Sequence, residues 1–156
     1  MAETQMSDDM LKLYELAGAD EAVRFSPHCW KTRMALAHKG LEAERIPFHF
    51  TDKDVIAFSG QGLVPVLVDG ETVVHDSWQI ATYLEERFPT PTLFGGDTGR
   101  AVARFVNAWA DGTLGPVIAR VIALDIHSRI AAKDQHYFRE TREKRFGMSL
   151  EAFAAE

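Results

Sequence analysis

Apolar residues alternate with polar ones along three stretches of the N-terminal half, and this period of two predicts β-strands. The first stretch is LKLYELAG, residues 11–18, which ends in a glycine. The second, RIPFHF, places Ile46, Phe48 and Phe50 on one side, and Pro47 favours either a position at a sheet edge or an irregular start of the strand. The third, VPVLVDGETVVHDS, contains two strands around an Asp-Gly pair and therefore predicts a β-hairpin over residues 65–75.

The segment after the first strand has apolar residues at the spacing of a helix. SPHCWKTRMALAHKG begins with Ser26 and Pro27, which are typical of the cap and the first residue of a helix, and ends with a glycine. Trp30, Met34 and Ala37 are spaced to share one side of this helix. We expect that side to be buried, since apolar residues at helical spacing usually face a core.

Two further helices complete the N-terminal half. TDKDVIAFSG, with Thr51 as its cap, predicts one or two turns, and DSWQIATYLEERFP, capped by Ser77, predicts a longer helix. The resulting order, βαβαββα, is typical of an α/β domain, which we place at residues 10–89. We expect the first three strands to form crossover units with their helices, and the hairpin to add an antiparallel strand.

Near residue 89 the sequence pattern changes from mixed strands and helices to a linker followed by helices alone. PTPTLFGGDTG is rich in proline, glycine and threonine and predicts a linker over residues 90–98. Residues 99–156 are helical in pattern, with a break near Gly112 and a stop at Gly147. Their apolar faces exceed what so few helices can bury, so we expect an all-α domain that packs on the first domain, on a partner or on missing sequence.

Composition and charge narrow the range of functions. The 156 residues are 46% hydrophobic and 26% charged, and the net charge of −6 argues against nucleic-acid binding. The acidic start, MAETQMSDDM, does not resemble a signal peptide, and no run reaches the length of a membrane span, so we expect a cytoplasmic protein. Cys29 is the only cysteine and the six histidines lack metal-ligand spacing, so we expect no metal.

Three short motifs can carry chemistry, and each also has a simpler structural interpretation. Ser26 either caps its helix or presents a hydroxyl to a ligand. Val64-Pro65 is either a plain strand start or a cis bond that turns the peptide groups of Val64 outward. Asp76 and Ser77 either cap a helix or receive an ammonium and a carboxylate. If the three meet at one end of the sheet, they can hold a small zwitterionic peptide.

Taken together, these motifs resemble the glutathione S-transferases. SPHCWKTRMALAHKG, LVPVLVDG and DSWQIATYLEERFP match, in order, the family's serine-bearing helix, its cis-proline loop and its acidic-residue-Ser helix start. The resemblance extends over residues 11–156 and implies a thioredoxin-like domain followed by an all-helical one. Because family members have a helical domain roughly twice as long, it implies that residues 99–156 are a partial all-α domain and that the chain is a fragment or a truncated reading frame. It also implies glutathione as co-substrate, a hydrophobic electrophile and a homodimer. Within the family, Ser-Pro-x-x-Trp-Lys-Thr and YFRETREKRFGMSLE are most similar to the bacterial β-etherases and their fungal relatives.

The resemblance also implies roles for individual residues. Ser26 would hydrogen-bond the glutathione sulfur, and a hydroxyl donated to a thiolate favours the charged form and lowers the thiol pKa. His28 and Trp109 are candidates for the second-substrate pocket, with a surface histidine and a core tryptophan as the alternatives. The residues implied for the cysteinyl backbone, the γ-glutamyl end and the glycine carboxylate of glutathione are Val64, Pro65, Asp76, Ser77, Gln61 and Lys53.

Several functions remain open from the sequence. The first is a transferase that attacks a hydrophobic electrophile, with β-aryl ethers among the substrates. The second is a glutathione-dependent cis-trans isomerase of the zeta type, whose Ser-x-x-x-Trp-Arg helix start is similar. The third is a binding module for glutathione or another ligand without turnover. A redox role would require Cys29, which we expect to be buried.

Overall fold

In the computed structural model, which describes residues 10–155, the strands of the N-terminal half form one sheet in the order β2-β1-β3-β4. Strand β2 runs parallel to β1, whereas β3 is antiparallel to both β1 and β4. The edge position predicted from Pro47 is confirmed, since β2 is an outer strand. The strands are β1 (Leu11–Leu16), β2 (Ala43–Phe48), β3 (Val66–Asp69) and β4 (Thr72–His75).

One expectation about strand direction is wrong. Only the step from β1 to β2 is a parallel crossover, because β3 returns antiparallel to β1. Alternation of apolar residues is the same in either direction along a strand. The direction of β3 therefore depends on how the segment before it packs, which the alternation does not reveal.

Three helices complete the βαβαββα order: α1 (Pro27–Lys39), a 3₁₀ helix (Lys53–Ser59) and α2 (Ser77–Arg87). Ser26 caps α1 as predicted, and Gly40 ends it with a left-handed φ of 67°. The cap predicted for the second helix is wrong. That helix follows Asp52 rather than Thr51, and no side chain caps it.

The core of the N-terminal half lies on both faces of the sheet. The first cluster consists of Leu11, Leu13, Ala35, Leu36, Leu67, Ile80 and Leu84. The second cluster consists of Leu16, Cys29, Phe48, Ile56 and Val66. Neighbouring residues of β3, Val66 and Leu67, belong to different clusters, as the alternation of a strand requires.

The prediction of which face of α1 is buried is wrong. Trp30 and Met34 are 42% and 61% exposed, and Ala37 is exposed as well. The buried face instead carries Cys29, Thr32, Ala35, Leu36 and Lys39. A buried face can include a charged residue when its polar atoms find partners, as the ammonium of Lys39 does with Glu85, Phe88 and Pro91. The spacing of large apolar residues alone therefore pointed to the wrong side.

Helices make up the C-terminal half. A π-helical turn, Ala110–Leu114, separates α3 from α4 and confirms the break predicted near Gly112. Gly147 ends α5 with a φ of 72°, also as predicted. Helix α3 has no buried residue among the residues described. The helices are α3 (Asp97–Trp109), α4 (Gly115–Arg129), α5 (Ala132–Phe146) and α6 (Leu150–Ala155).

The described residues fall into two units. The first comprises residues 10–17 and Glu21–Leu93, and the second comprises Gly18–Asp20 and residues 94–155. The domain limits at residues 89 and 99 stay predictions. Between residues 10 and 155, no helix combines the length and the hydropathy that a bilayer span requires.

Candidate functional site

The three predicted motifs lie at one end of the sheet. Tyr14 of β1 pairs with Val66 of β3, and Val66 pairs with His75 of β4, so these residues form one row. Strand β1 runs toward this end, β3 begins there and β4 finishes there, because both neighbouring pairs are antiparallel. The segments that adjoin this end carry Ser26, Val64-Pro65 and Asp76-Ser77.

Ser26 caps α1 through its hydroxyl oxygen. The Oγ atom accepts a hydrogen bond from the amide of Cys29 at 3.4 Å, and the Ser26 carbonyl accepts one from Trp30 at 3.0 Å. A hydroxyl has one hydrogen to donate and two lone pairs to accept with. Capping uses a lone pair, so the hydroxyl hydrogen can be donated either to the thiol of Cys29, whose pKa this bond lowers, or to a ligand. The structural and functional interpretations of Ser26 are therefore compatible.

Cys29 is buried in the second core cluster, as the sequence predicted. Burial raises the pKa of its thiol, while the hydrogen bond with Ser26 opposes this rise to a smaller extent. A thiol with a raised pKa has little of the reactive thiolate at neutral pH. The structure thus disfavours a redox role for Cys29.

The Val64-Pro65 peptide bond is cis, in agreement with the second of the two sequence interpretations. Val64 packs against the second core cluster, which also contains Cys29. The helix that carries Ser26 and the loop that carries Val64 therefore rest on the same set of side chains.

The side chains of Gln61 and Lys53 form hydrogen bonds with the backbone of the loop that precedes Val64. The side-chain amide of Gln61 forms two hydrogen bonds with the backbone of Leu63. Its Oε1 accepts from the Leu63 N–H at 2.6 Å, and its Nε2 donates to the Leu63 C=O at 2.8 Å. The ammonium of Lys53 donates to the carbonyl of Gly62 at 2.7 Å. Both side chains therefore help to fix the backbone that leads into Val64, a contribution that the sequence did not indicate.

Asp76, and not Ser77, caps α2. Its Oδ1 atom accepts hydrogen bonds from the amides of Trp78 at 3.0 Å and Gln79 at 3.1 Å, while Ser77 is buried in the first turn. The predicted cap is thus wrong by one residue, because β4 leads into α2 so directly that Asp76 is the last non-helical residue. Its φ of 69° is uncommon for a residue other than glycine. Backbone strain of this kind costs about 1–3 kcal/mol and often occurs at binding sites.

The two residues proposed for a second-substrate pocket lie in different units. His28 belongs to the first turn of α1, where it is exposed, in accord with a surface histidine. Trp109 is the last residue of α3 in the second unit and is 49% exposed. The alternative of a core tryptophan is therefore wrong, because α3 buries none of its residues within the second unit as described.

The structure contains a buried ion pair close to Ser26, between Glu15 and Arg24, that the sequence did not predict. The Glu15 side chain is 1% exposed, and its Oε1 atom lies 3.0 Å from Nε of Arg24. Arg33 approaches the other carboxylate oxygen at 3.8 Å. The signal was present in β1, where the period of two puts Glu15 on the same side as Leu11 and Leu13. A charge at such a position requires a partner.

Comparisons with known proteins agree with this architecture. The family described as "Glutathione S-transferase, N-terminal domain" matches residues 25–87, and the family described as "Glutathione S-transferase, C-terminal domain" matches residues 101–156. A glutathione S-transferase of Ceriporiopsis subvermispora, solved in complex with glutathione, has a TM-score of 0.80 and 25% identity. This match covers 92% of the present chain and 63% of that protein.

Two curated relatives are similar over more than half of the chain. A zeta-class glutathione S-transferase of Euphorbia esula is 35% identical over 111 residues, or 67% of this chain and 45% of that protein. A maleylpyruvate isomerase of a Ralstonia species is 30% identical over 117 residues, or 71% of this chain and 50% of that protein. The chain thus spans about half the length of these relatives.

A thioredoxin-like four-stranded sheet followed by a helical unit defines the class of protein. Because matches to the N-terminal and C-terminal domain families together cover most of the chain, it belongs to the glutathione S-transferase superfamily.

Proposed function

We propose that this protein binds glutathione and activates its thiol as a thiolate for attack on a hydrophobic electrophile. The observation that carries the proposal is the hydroxyl of Ser26, which accepts the capping bond of α1 through a lone pair and has one hydrogen that can be donated either to the Cys29 thiol or to a ligand. A sulfur placed at this hydroxyl would also meet the positive end of the helix. Both effects favour the thiolate over the thiol.

The magnitudes are sufficient for this role. A free thiol has a pKa of about 8.5, so only a few per cent is thiolate at neutral pH. Lowering that pKa by about two units corresponds to about 2.7 kcal/mol. A hydrogen bond to a charged group contributes about 1.5–3 kcal/mol and a helix terminus about 0.3–1 kcal/mol. No covalent step at Ser26 is needed.

We propose the remaining contacts with glutathione at the same end of the sheet, where Val64 lies before the inner strand β3 and Asp76 lies after the edge strand β4. The backbone of Val64, before Pro65, would pair with the cysteinyl residue of glutathione. Asp76 would receive the γ-glutamyl ammonium, and the helix start with Ser77 would receive its carboxylate. We assign the glycine carboxylate to the loop that Lys53 and Gln61 hold. Lys53 supplies positive charge there, and Gln61 acts through Leu63.

The second substrate and the assembly are part of the same proposal. Similarity of the serine motif to the β-etherases supports an aryl ether as the electrophile. His28 in the first unit and Trp109 in the second are each proposed as contacts of the electrophile, and exposed apolar residues on α3 suit either a substrate contact or a homodimer contact. We place the protein in the cytoplasm.

A glutathione-dependent isomerisation is the second candidate function. Similarity to the zeta-class transferase and to the maleylpyruvate isomerase favours it. Activity measured with a β-aryl ether, with chlorodinitrobenzene and with a maleylacetoacetate-type substrate separates the two reactions. Glutathione binding without turnover of any of the three would support a binding module.

The decisive experiment is a pH titration of bound glutathione, following thiolate absorbance. We expect the thiol pKa to lie about two units below that of free glutathione in the wild type and to rise toward the free value in Ser26→Ala. Ser128→Ala is the matched control, because Ser128 is exposed on α4. Absence of binding contradicts the whole proposal, and an unshifted pKa in the wild-type complex contradicts thiol activation.

A further inference from the structure

We propose that Glu15, Arg24, Trp30 and Arg33 form a ring that positions the hydroxyl of Ser26. This inference rests on the proposed function, because it concerns the residue that would activate glutathione. None of the four needs to touch glutathione. They act through the backbone on either side of Ser26 and are therefore positioning residues.

The ring is closed by four contacts. Glu15 Oε1 lies 3.0 Å from Nε of Arg24, and the Arg24 carbonyl accepts a hydrogen bond from Nε1 of Trp30 at 2.8 Å. The guanidinium of Arg33 lies 4.0 Å from the centre of a Trp30 ring, and its Nε lies 3.8 Å from Glu15 Oε2. Ser26 lies in sequence between Arg24 and Trp30. The ring thus joins the loop before the serine to the helix after it.

Arg24 is attached at three points. Its backbone forms an isolated antiparallel bridge with Ala17, its carbonyl accepts from Trp30, and its side chain reaches Glu15. Ala17 is itself held by a hydrogen bond to Phe48 at 2.9 Å. Two residues beyond Arg24, the chain reaches Ser26 with little freedom to rotate. The direction of the hydroxyl therefore depends on where these attachments hold the loop.

Stability alone is a poor explanation for this arrangement. A buried ion pair adds little net stability, and apolar residues of similar size often do as well or better. Here Glu15 Oε2 and Arg24 Nη1 are buried and make no hydrogen bond within residues 10–155, which adds a cost. A directional bond between a strand and a loop is what positioning requires, and the bond that Nε of Arg24 donates to Glu15 Oε1 supplies one.

The charges of the pair largely oppose one another beside the serine. At Cys29, the neighbour of Ser26 in the first turn, Glu15 raises the thiol pKa and Arg24 lowers it. A variant that removes a contact without changing charge is therefore the cleanest probe. Trp30→Phe does this, because it deletes the donor to Arg24 and keeps an aromatic ring for Arg33.

The experiment compares wild type, Trp30→Phe, Ser26→Ala and the double variant. The thiol pKa of bound glutathione is measured for each, together with binding of S-methylglutathione, which has no thiol to ionise. We expect Trp30→Phe to raise the thiol pKa by about one unit, a tenfold fall in the thiolate-to-thiol ratio. We expect S-methylglutathione to bind within about twofold of wild type, and the double variant to match Ser26→Ala.

Three results would overturn the inference. They are an unchanged pKa in Trp30→Phe, a further rise when Trp30→Phe is added to Ser26→Ala, and weaker binding of S-methylglutathione in parallel with the pKa change. In each of these results Ser26→Ala still raises the pKa, so the proposed function survives. If Ser26→Ala has no effect on the pKa, thiol activation by the serine and the inference both fail.

A second variant keeps the inference testable if Trp30→Phe does not fold. Arg24→Lys keeps the charge and the backbone carbonyl but loses the guanidinium Nε–H that donates to Glu15 Oε1. The same measurements apply, with the same expected and contradicting results. Arg45→Lys is the matched control, because Arg45 is exposed on β2, and it should leave both quantities unchanged.

Discussion

The hydroxyl oxygen of Ser26 lies 3.4 Å from the amide nitrogen of Cys29, which makes the only cysteine of the chain part of the serine's helix cap. The cysteine contributes its backbone to this cap, while its thiol is buried. Replacing the thiol therefore leaves the cap intact.

Cys29→Ala should retain the lowered thiol pKa of bound glutathione. In the native wild-type protein, alkylation of Cys29 by iodoacetamide at pH 8 should be much slower than in urea. Burial raises the thiol pKa in the folded state, so less thiolate is present at any pH below that value. Mass spectrometry of timed samples measures the rate. Rapid native alkylation, or loss of thiol activation in Cys29→Ala, would support the redox alternative instead.

Gln61→Ala should weaken binding of S-methylglutathione about tenfold, a loss of about 1.4 kcal/mol. The reason is that two hydrogen bonds to Leu63 are removed and the loop before Val64 loses its fixed shape. Isothermal titration measures the affinity. Gln61→Glu keeps the acceptor but not the donor and should have an intermediate effect. Gln135→Ala, in the second unit, is the control, and an equal change there would refute a specific role for Gln61.

Lys39→Met should lower the free energy of unfolding by about 2–3 kcal/mol. The Lys39 side chain is fully buried, and its ammonium lies 2.5 Å from Glu85 Oε2, with the carbonyls of Phe88 and Pro91 at 2.6 and 2.7 Å. Removing the cation takes a donor from each of these three acceptors, although the Leu93 N–H still donates to Glu85 Oε2 at 2.8 Å and Glu85 keeps some contact with solvent. Urea denaturation measures the change.

Lys144→Met provides the control for Lys39. Lys144 also lies in the last turn of its helix, α5, but is exposed. Its replacement should change stability by no more than about 0.5 kcal/mol. Similar losses in the two variants would show that the buried contacts of Lys39 contribute nothing particular.

Gly99→Ala should destabilise the second unit by about 1–3 kcal/mol. A Cβ atom at Gly99 would overlap the carbonyl oxygen of Phe94, and backbone must shift to admit it. Gly112→Ala is the matched comparison, because nothing lies within 4 Å of its added Cβ. That change should be neutral or stabilising by up to about 1 kcal/mol, since alanine restricts the unfolded chain. Thermal unfolding of both variants tests the contrast.

Local sequence was a good guide to features that depend on neighbouring residues. The Ser26 cap, the left-handed stops at Gly40 and Gly147 and the order of strands and helices were all predicted correctly. These features are determined within a few residues, by hydrogen bonds to the nearest amides and by the φ angles that each residue type accepts.

By itself, then, the sequence determined the order of elements, the three motifs and the family they indicate. Tertiary structure decided the direction of β3, the side of α1 that is buried, the partner of Glu15 and the use of Gln61 within its own loop. These features depend on which distant segments pack together. Alternation and helical spacing report how apolar a face is, but they do not report what lies opposite it.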